Sequence, residues 1–328
     1  MGNLQMTLCN KVLSCDYSGV SETLCSMGRS VRGEDMQLAL RVVFAPMEGK
    51  NSLKMGDEFL ISNIKKVPGW EPLSWRQERV AQQHATGKSA VWPSLSESRF
   101  ARPMRHWSVE AYGSDGKGGV RSLRGLLQVA HLRKDRELEQ VKAAVHEISA
   151  VADYARRFNH HVAQLDGFDG EVPTIRVATS MACFVLDGIA PDVVDAGDTA
   201  VLTLFDEKEV TKFVFEGSED FVELPHSFFH FVLWNSGGQD LVADLQGAQH
   251  EDEFILVDPV LLKTGDLDLS QLLEMATSSE VPSRNKKRFD QWHPRCAQLC
   301  RSFDPQRRSG HARRACGVPL PNCGVGGG

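Results

Sequence analysis

The fold is decided by residues 224–247, which read LPHSFFHFVLWNSGGQDLVADLQG. Two apolar runs flank the loop 235–238, and glycine-containing loops of this length commonly join two antiparallel strands. We therefore predict a β-hairpin over this stretch. In the register that the loop implies, His230 pairs with Ala243 on the facing strand.

The second run ends in two oxygen-bearing side chains. Because side chains alternate between the faces of a strand, Asp244 and Gln246 are expected to point to one side and His230 to the other. An Asp and a Gln two residues apart, just before Gly247, are suitable oxygen ligands for Mg²⁺. Polar side chains are also common at exposed strand ends, so this pair alone leaves both interpretations open.

A second group of metal-binding residue types lies near the C-terminus. His293 is followed by Cys296 and Cys300, and two thiols four residues apart share one face of a helix, which Pro294 would begin. Thiolates and imidazoles are the preferred ligands of structural zinc, and four of them close a tetrahedral site. Three of the four are present in this segment.

The remaining pattern predicts an α+β protein of two lobes. Apolar residues recur at intervals of three and four from Leu138 to Phe158, which predicts a helix of about six turns. Runs rich in apolar, β-branched and aromatic residues predict strands at 107–112, 126–132, 175–186, 200–205, 210–215, 227–234 and 241–245. Short apolar runs also occur at 38–44, 58–64 and 254–257, and we expect a few strands and loops within residues 1–95.

Composition excludes some partners and leaves others open. The chain has 328 residues and a formal net charge of -6, with no polybasic cluster, so neither nucleic acid nor a membrane is an expected partner. Residues 1–11 lack the charged start and apolar stretch of a secretory leader, so we expect a cytoplasmic protein. Eight cysteines are too few for a disulfide scaffold. The oligomeric state is not indicated.

The order of the motifs resembles the alpha-kinase family. The family carries an aromatic-Ser-His-aromatic segment, then Asp-Leu-Gln-Gly, Thr-Asp-Pro and His-x-Cys-x-x-x-Cys. The corresponding segments here are 228–231, 244–247, 257–259 and, with one inserted residue, 293–300. The resemblance covers about Arg102 to Phe303. It implies an α+β, two-lobed atypical kinase fold whose C-terminal lobe is stapled by zinc.

This resemblance also implies boundaries and site residues. We expect an N-terminal region of unknown role at 1–95, a kinase-like domain at 96–303 and a disordered tail rich in Arg and Gly at 304–328. Asp244 would orient or deprotonate the attacking hydroxyl, Gln246 and Asp258 would hold Mg²⁺, and Arg105 would steady the phosphates of ATP. The zinc ligands would be His230, His293, Cys296 and Cys300.

Three positions depart from the family pattern. His131 stands where the family has a phosphate-binding lysine, Thr203 where it has a glutamate near the adenine, and Ser270 where it has a glycine in the loop beginning at Thr264. A histidine is shorter than lysine and only partly charged at neutral pH. Our first hypothesis is an ATP- and Mg²⁺-dependent protein serine/threonine kinase acting on a protein substrate. The alternative is a weak or inactive pseudokinase that serves as a zinc-stapled binding scaffold.

Overall fold

The computed structural model describes residues 36–46, 54–67, 104–114, 119–130, 136–165, 172–188, 190, 193–207, 209–214, 220–237, 239–263, 293 and 296–303. The predictions for His131, for the loop 264–270 and for the tail 304–328 lie outside these residues. Within them the elements are, in chain order, β1 (Leu38–Phe44), β2 (Glu58–Lys66), β3 (Met104–Ser114), β4 (Val120–Ala130), α1 (Leu138–Val162), β5 (Thr174–Val177), β6 (Ser180–Gly188), β7 (Thr199–Leu204), β8 (Thr211–Val214), α2 (Glu223–Asn235), β9 (Asp240–Ala243), β10 (Leu245–Gln249), β11 (Glu253–Leu256), β12 (Val260–Lys263) and α3 (Gln298–Phe303).

The described residues divide into two compact units. The first unit takes residues from 36–67, 104–149 and 178–209, and the second takes residues from 150–177 and 210–303. Both units contain helical and strand residues, as the sequence predicts for an α+β protein. None of the helices that the structure describes is both long enough and apolar enough to span a membrane.

The first unit is built on a closed barrel with strand order β1-β2-β3-β4-β7-β6. Strand β1 closes it, because β1 pairs antiparallel with β2 on one side and with β6 on the other. The interior is filled by alternate residues of each strand, such as Trp107 and Val109 of β3 and Leu127 and Val129 of β4. Closure leaves no unpaired strand edge in the barrel.

Strands β1 and β2 precede the expected domain boundary at residue 95. Their side chains nevertheless complete the barrel core, where Leu38, Leu40 and Phe59 are all at least 99% buried. Strands β1 and β2 therefore belong to the same packing unit as β3, β4, β6 and β7. The domain boundary expected at residue 95 lies outside the described residues and stays a prediction.

Helix α1 runs through the segment in which its periodicity predicts a helix. Its first half packs Val141 and Val145 against Ala182 and Val201 on the outside of the barrel. Its second half lies in the second unit, where the ring of Phe158 meets the rings of two phenylalanines of α2 at centroid distances of 5.5 and 5.3 Å. The apolar stripe seen in the sequence is therefore buried along the length of the helix.

The prediction of a strand at 227–234 is wrong, because this segment is helix α2. Every residue from Leu224 to Leu233 is buried, so the segment shows no apolar-polar alternation. A short, fully apolar run cannot be assigned to strand or helix by periodicity alone. Pro225 lies in the first turn, where its missing N–H breaks no helical hydrogen bond.

The hairpin register predicted for His230 fails together with the strand. Ala243 pairs with Val260 of β12, not with His230, and the hairpin in this part of the chain is formed by β9 and β10 with β11 and β12. Because His230 lies on helix α2, His230 and Asp244 do not occupy opposite faces of one sheet, as the sequence had predicted. The second unit has a four-stranded sheet of order β5-β11-β10-β8 and a two-stranded sheet of β12 and β9.

Candidate functional site

Four metal-ligating side chains converge in the second unit. His230 comes from the middle of α2, His293 and Cys296 precede α3, and Cys300 lies on α3. Their ligand atoms all lie within 4.8 Å of one another. The prediction of one helix that begins at Pro294 and carries both thiols is wrong, because α3 begins at Gln298 and Cys296 precedes it. The two thiols therefore reach the centre from different local backbone structures.

The donor atoms have the separations that a tetrahedral zinc ion requires. Zinc bound to sulfur at about 2.3 Å and to imidazole nitrogen at about 2.0–2.1 Å needs S–N distances of about 3.5–3.6 Å. Cys296 Sγ lies 3.7 Å from His230 Nδ1 and 3.4 Å from His293 Nε2, and Cys300 Sγ lies 3.8 Å from His293 Nε2. The residues present therefore fit a structural zinc ion without large rearrangement.

The two thiols are electrostatically unequal. A hydrogen bond from Cys300 and further hydrogen bonds from His230 and His293 hold the pKa of the Cys296 thiol well below its usual range. The same contact with Cys296, together with burial, raises the pKa of Cys300. Because zinc binds the thiolate form, the cluster already favours the ligand state of one cysteine.

Aromatic rings surround this cluster. Phe229 stacks on the His293 ring at a centroid distance of 6.2 Å, and Phe303 meets the His230 ring edge-on at 5.3 Å. His293 and His230 themselves meet at 4.9 Å. These rings pack against both imidazoles and restrict their orientations, and His230 and Cys300 are buried whereas His293 and Cys296 are partly exposed.

A second group of side chains lies at an interruption in the hairpin that β9 and β10 form with β11 and β12. Ala243 pairs with Val260 on one side of the interruption, and Gly247 pairs with Leu256 on the other. The three residues 244–246 therefore lie opposite the three residues 257–259. In this register Asp258 lies opposite Leu245, the residue between Asp244 and Gln246.

The backbone at the interruption is unusual on both strands. Asp244 and Asp258 have positive φ angles of 62° and 46°, a conformation that costs non-glycine residues energy and occurs most often at functional sites. The Val257 N–H donates to the Gln246 carbonyl at 2.9 Å and holds the two segments together. The regular pairing is thus broken where the acidic side chains stand.

All three side chains at the interruption are at least 97% buried. Gln246 Nε2 donates to Asp244 Oδ1 at 3.0 Å, whereas Gln246 Oε1 is buried and has no hydrogen-bond partner among the described residues. An orphaned buried carbonyl oxygen is costly unless something binds it. Carboxylate and amide oxygens are the ligands that Mg²⁺ prefers, so this donor set fits a magnesium ion.

Lys212 is a further candidate for a functional residue, although the sequence motifs assign it no role. It lies on β8 and pairs directly with Gln246 on β10, and residues paired across antiparallel strands share a face. Lys212 therefore adds a cation to the face that carries the orphaned amide oxygen. The Glu-x-x-Lys segment that begins at Glu209 marks Lys212 in the sequence. Only the strand register shows that Lys212 lies beside Gln246.

The remaining predicted residues belong to the first unit. Arg105 lies on β3, where its guanidinium donates to the Val193 carbonyl at 3.3 Å and stacks over the Trp107 ring at 5.2 Å. Its contact with phosphate stays a prediction. Thr203 is buried on β7 and shares a hydrogen bond of 2.7 Å with Ser180 Oγ. His131 lies outside the described residues.

Comparison with known proteins identifies the class. The sequence profile of the alpha-kinase family matches residues 127–300, more than half of the chain. The chain therefore belongs to the alpha-kinase family, and the resemblance seen in its motifs is confirmed. Membership of this family supports the assignment of the chain as a protein kinase. Among individual curated protein sequences, none matches this chain.

Several solved structures are similar to the chain at low identity. The alpha-kinase domain of myosin heavy chain kinase A complexed with AMP has 12% identity and a TM-score of 0.47, covering 82% of this chain and 98% of that one. An inactive form of the myosin-II kinase domain complexed with ATP has 12% identity and a TM-score of 0.48, with coverages of 84% and 98%. An alpha kinase from Entamoeba histolytica has 13% identity and a TM-score of 0.42, with coverages of 78% and 93%.

Proposed function

We propose that this chain is an ATP- and magnesium-dependent protein serine/threonine kinase. Family membership supports the reaction class, and the interrupted hairpin supports its location. The observation that carries the proposal is the Gln246 Oε1 atom, which is buried with no partner in the part of the chain that the structure describes, while the amide N–H of the same side chain holds the Asp244 carboxylate. A cation bound to this amide oxygen would offset the free-energy cost of burying the oxygen without a partner.

The proposed roles follow from position and charge. Phosphoryl transfer depends mainly on positioning and charge neutralisation, so few groups need unusual chemistry. The Asp244 carboxylate would orient the substrate hydroxyl and accept its proton. Gln246 and Asp258 would hold magnesium, which neutralises charge on the phosphate oxygens when bound. Lys212 would add a fixed cation on the same face.

Phosphate transfer from labelled ATP to a basic helical peptide tests this proposal directly. Asp244→Asn keeps the shape of the side chain and a residue type that tolerates a positive φ, and we expect it to lower turnover by about 10²- to 10⁴-fold. Asp252→Asn is the matched control, because Asp252 is exposed in the turn between β10 and β11. Equal activity of both variants would place the reaction elsewhere in the protein.

The dependence of the reaction on magnesium and the specificity for serine or threonine in the substrate need separate measurements. Magnesium should be withheld by dialysis instead of chelation, because a chelator would also remove zinc. We expect turnover to rise with added magnesium, and acid hydrolysis of the product should release phosphoserine or phosphothreonine. Lys212→Met should weaken nucleotide binding more than Lys142→Met, which removes a partly exposed lysine of α1 that pairs with Glu139.

We further propose that His230, His293, Cys296 and Cys300 hold a structural zinc ion. The support is the donor spacing of 3.4–3.8 Å between sulfur and nitrogen atoms. Elemental analysis of the purified protein should give one zinc per chain. Since a structural ion contributes directly to folding, its removal should lower the melting temperature and not only the catalytic rate.

A pseudokinase is the second candidate, and two observations favour it. Histidine replaces the expected lysine at position 131, and Thr203, which replaces the expected glutamate, has its hydroxyl bonded to Ser180. Under this alternative the protein binds nucleotide weakly and shows no turnover. His131→Lys separates the two candidates, because it should raise phosphorylation in an impaired kinase and leave a binding scaffold inactive.

A further inference from the structure

One stripe of α2 carries three polar side chains that meet the segment around α3. Glu223, Ser227 and His230 are spaced by four and three residues, so they lie along one side of the helix. Glu223 Oε1 accepts the Leu299 N–H at 3.2 Å at the start of α3. His230 Nδ1 lies 3.7 Å from Cys296 Sγ. Ser227 occupies the middle of this stripe.

The hydroxyl of Ser227 is directed at the metal cluster. Ser227 Oγ lies 3.4 Å from Cys300 Sγ, within hydrogen-bond range for sulfur, and the structure gives its side chain no other hydrogen bond among the described residues. Ser227 is fully buried and Cys300 is 1% exposed, so water cannot take the place of either group. The contact is therefore isolated from solvent.

Metal binding fixes the direction of this hydrogen bond. A cysteine bound to zinc is a thiolate and has no proton to donate, so the serine hydroxyl must be the donor. Hydrogen bonds to an anionic acceptor are about twice as strong as neutral ones, and burial strengthens them further. Zinc binding would thus turn a weak contact between neutral groups into a charge-assisted one.

We propose that Ser227 is a positioning residue of the metal centre, which donates its hydroxyl hydrogen to the Cys300 thiolate and stabilises it as a ligand. This rests on the zinc site proposed above. The motif that resembles the family begins at Phe228, so the motif assigns Ser227 no role. Alanine would occupy the same position without a hydroxyl to bury, and burying a hydroxyl without a partner is costly.

The proposal predicts a spectroscopic change that packing alone would not cause. In full-length protein loaded with Co²⁺, which replaces zinc in tetrahedral sites, sulfur-to-cobalt charge transfer reports on the thiolates. A hydrogen bond lowers the energy of the sulfur electrons, so Ser227→Ala should move this band to longer wavelength. Zinc affinity, measured by chelator competition, should fall by about 10- to 100-fold.

Two comparisons separate the hydroxyl from its surroundings. Ser227→Thr and Ser227→Val have the same shape, but only threonine keeps a hydroxyl, so threonine should retain both the band and the affinity better than valine. Ser180→Ala is the matched control, because it removes a buried hydroxyl that bonds Thr203 Oγ1 at 2.7 Å in the first unit. It should lower stability without altering the cobalt spectrum.

The outcomes distinguish this inference from the zinc proposal itself. If His230→Ala weakens metal binding but Ser227→Ala leaves the band and the affinity unchanged, the zinc site stands and the role of Ser227 is overturned. Equal behaviour of the Thr and Val variants would overturn it as well. A wild-type protein that binds neither Co²⁺ nor Zn²⁺ would overturn both proposals.

Discussion

Gly247 follows Gln246 at the point where the interrupted hairpin resumes its pairing, and replacing it with alanine tests the geometry of the whole site. A Cβ atom at this position would lie 1.8 Å from the Ile255 carbonyl oxygen and 3.1 Å from Leu256 Cα. Both are backbone atoms of β11 and cannot rotate away. The residue also has a φ of 157°, which side-chain-bearing residues rarely adopt.

The cost of Gly247→Ala can be estimated from these distances. Ordinary Cβ contacts begin at 3.4 Å, so β11 must retreat by most of the difference from 1.8 Å. That displacement breaks the Val257–Gln246 hydrogen bond of 2.9 Å and the neighbouring ladder bonds. Two or three lost backbone hydrogen bonds plus an unfavourable φ amount to about 3–4 kcal/mol of unfolding free energy.

Urea unfolding of the full chain, followed by circular dichroism, measures this cost. Gly237→Ala is the control, because Gly237 also has a positive φ, of 63°, but no atom of the described residues lies within 4 Å of the position that its Cβ would take. It should cost only about 1–2 kcal/mol. Gly247→Ala should also reduce phosphate transfer, since Gln246 moves with the strand. If the two variants unfold at the same urea concentration, the close approach of β10 and β11 is refuted, and with it the register that places residues 257–259 opposite residues 244–246.

Three further changes test other parts of the second unit. Asn159 donates to the Ile175 carbonyl at 2.8 Å and accepts its N–H at 2.9 Å, so Asn159→Asp should lose about 2–3 kcal/mol of unfolding free energy, whereas the exposed Asn235→Asp should change little. Burial and the hydrogen bond to Asp240 raise the pKa of Tyr154 above its ordinary value of 10.0. The protonated phenol therefore contributes stability that is fully present below pH 10 and is lost as the pH rises towards the folded-state pKa. Tyr154→Phe should make the alkaline loss of stability shallower in unfolding curves measured across that range. His230→Ala removes one of the four metal donors, so the variant should be purified with less than one zinc per chain and should melt at a lower temperature, by elemental analysis and calorimetry; a full zinc content would exclude His230 as a ligand.

The sequence correctly predicted helices and strands where only one secondary structure explains the spacing of the apolar residues. The three- and four-residue spacing from Leu138 to Phe158 reflects a helix buried along one stripe, and α1 follows it. The strand expected at 200–205 closely matches β7, which spans Thr199–Leu204. The order of the short motifs indicated the alpha-kinase family, because each motif names residue types that a metal or a phosphate requires.

The sequence analysis predicted a strand where the structure has α2, because a continuous apolar sequence there reflects complete burial and not the type of secondary structure. A strand covered on both faces and a helix buried on all sides both have continuous apolar sequences. The length of 13 residues from Glu223 to Asn235 favours a helix, but the glycine-containing loop after it suggested a hairpin. Tertiary burial, including ring contacts with Phe158, decides between them.

By itself the sequence determined which residue types form the two candidate sites: the His/Cys set and the Asp-Leu-Gln-Gly and Asp-Pro segments. Only the tertiary structure decided their geometry. His230 reaches the thiols from a helix, and Lys212 becomes the neighbour of Gln246 through strand register. Residues 257–259 lie opposite residues 244–246 across an interruption that no local signal marks. The physical reason is that ligand chemistry is carried by single side chains, whereas distances between them depend on backbone pairing between segments far apart in the chain.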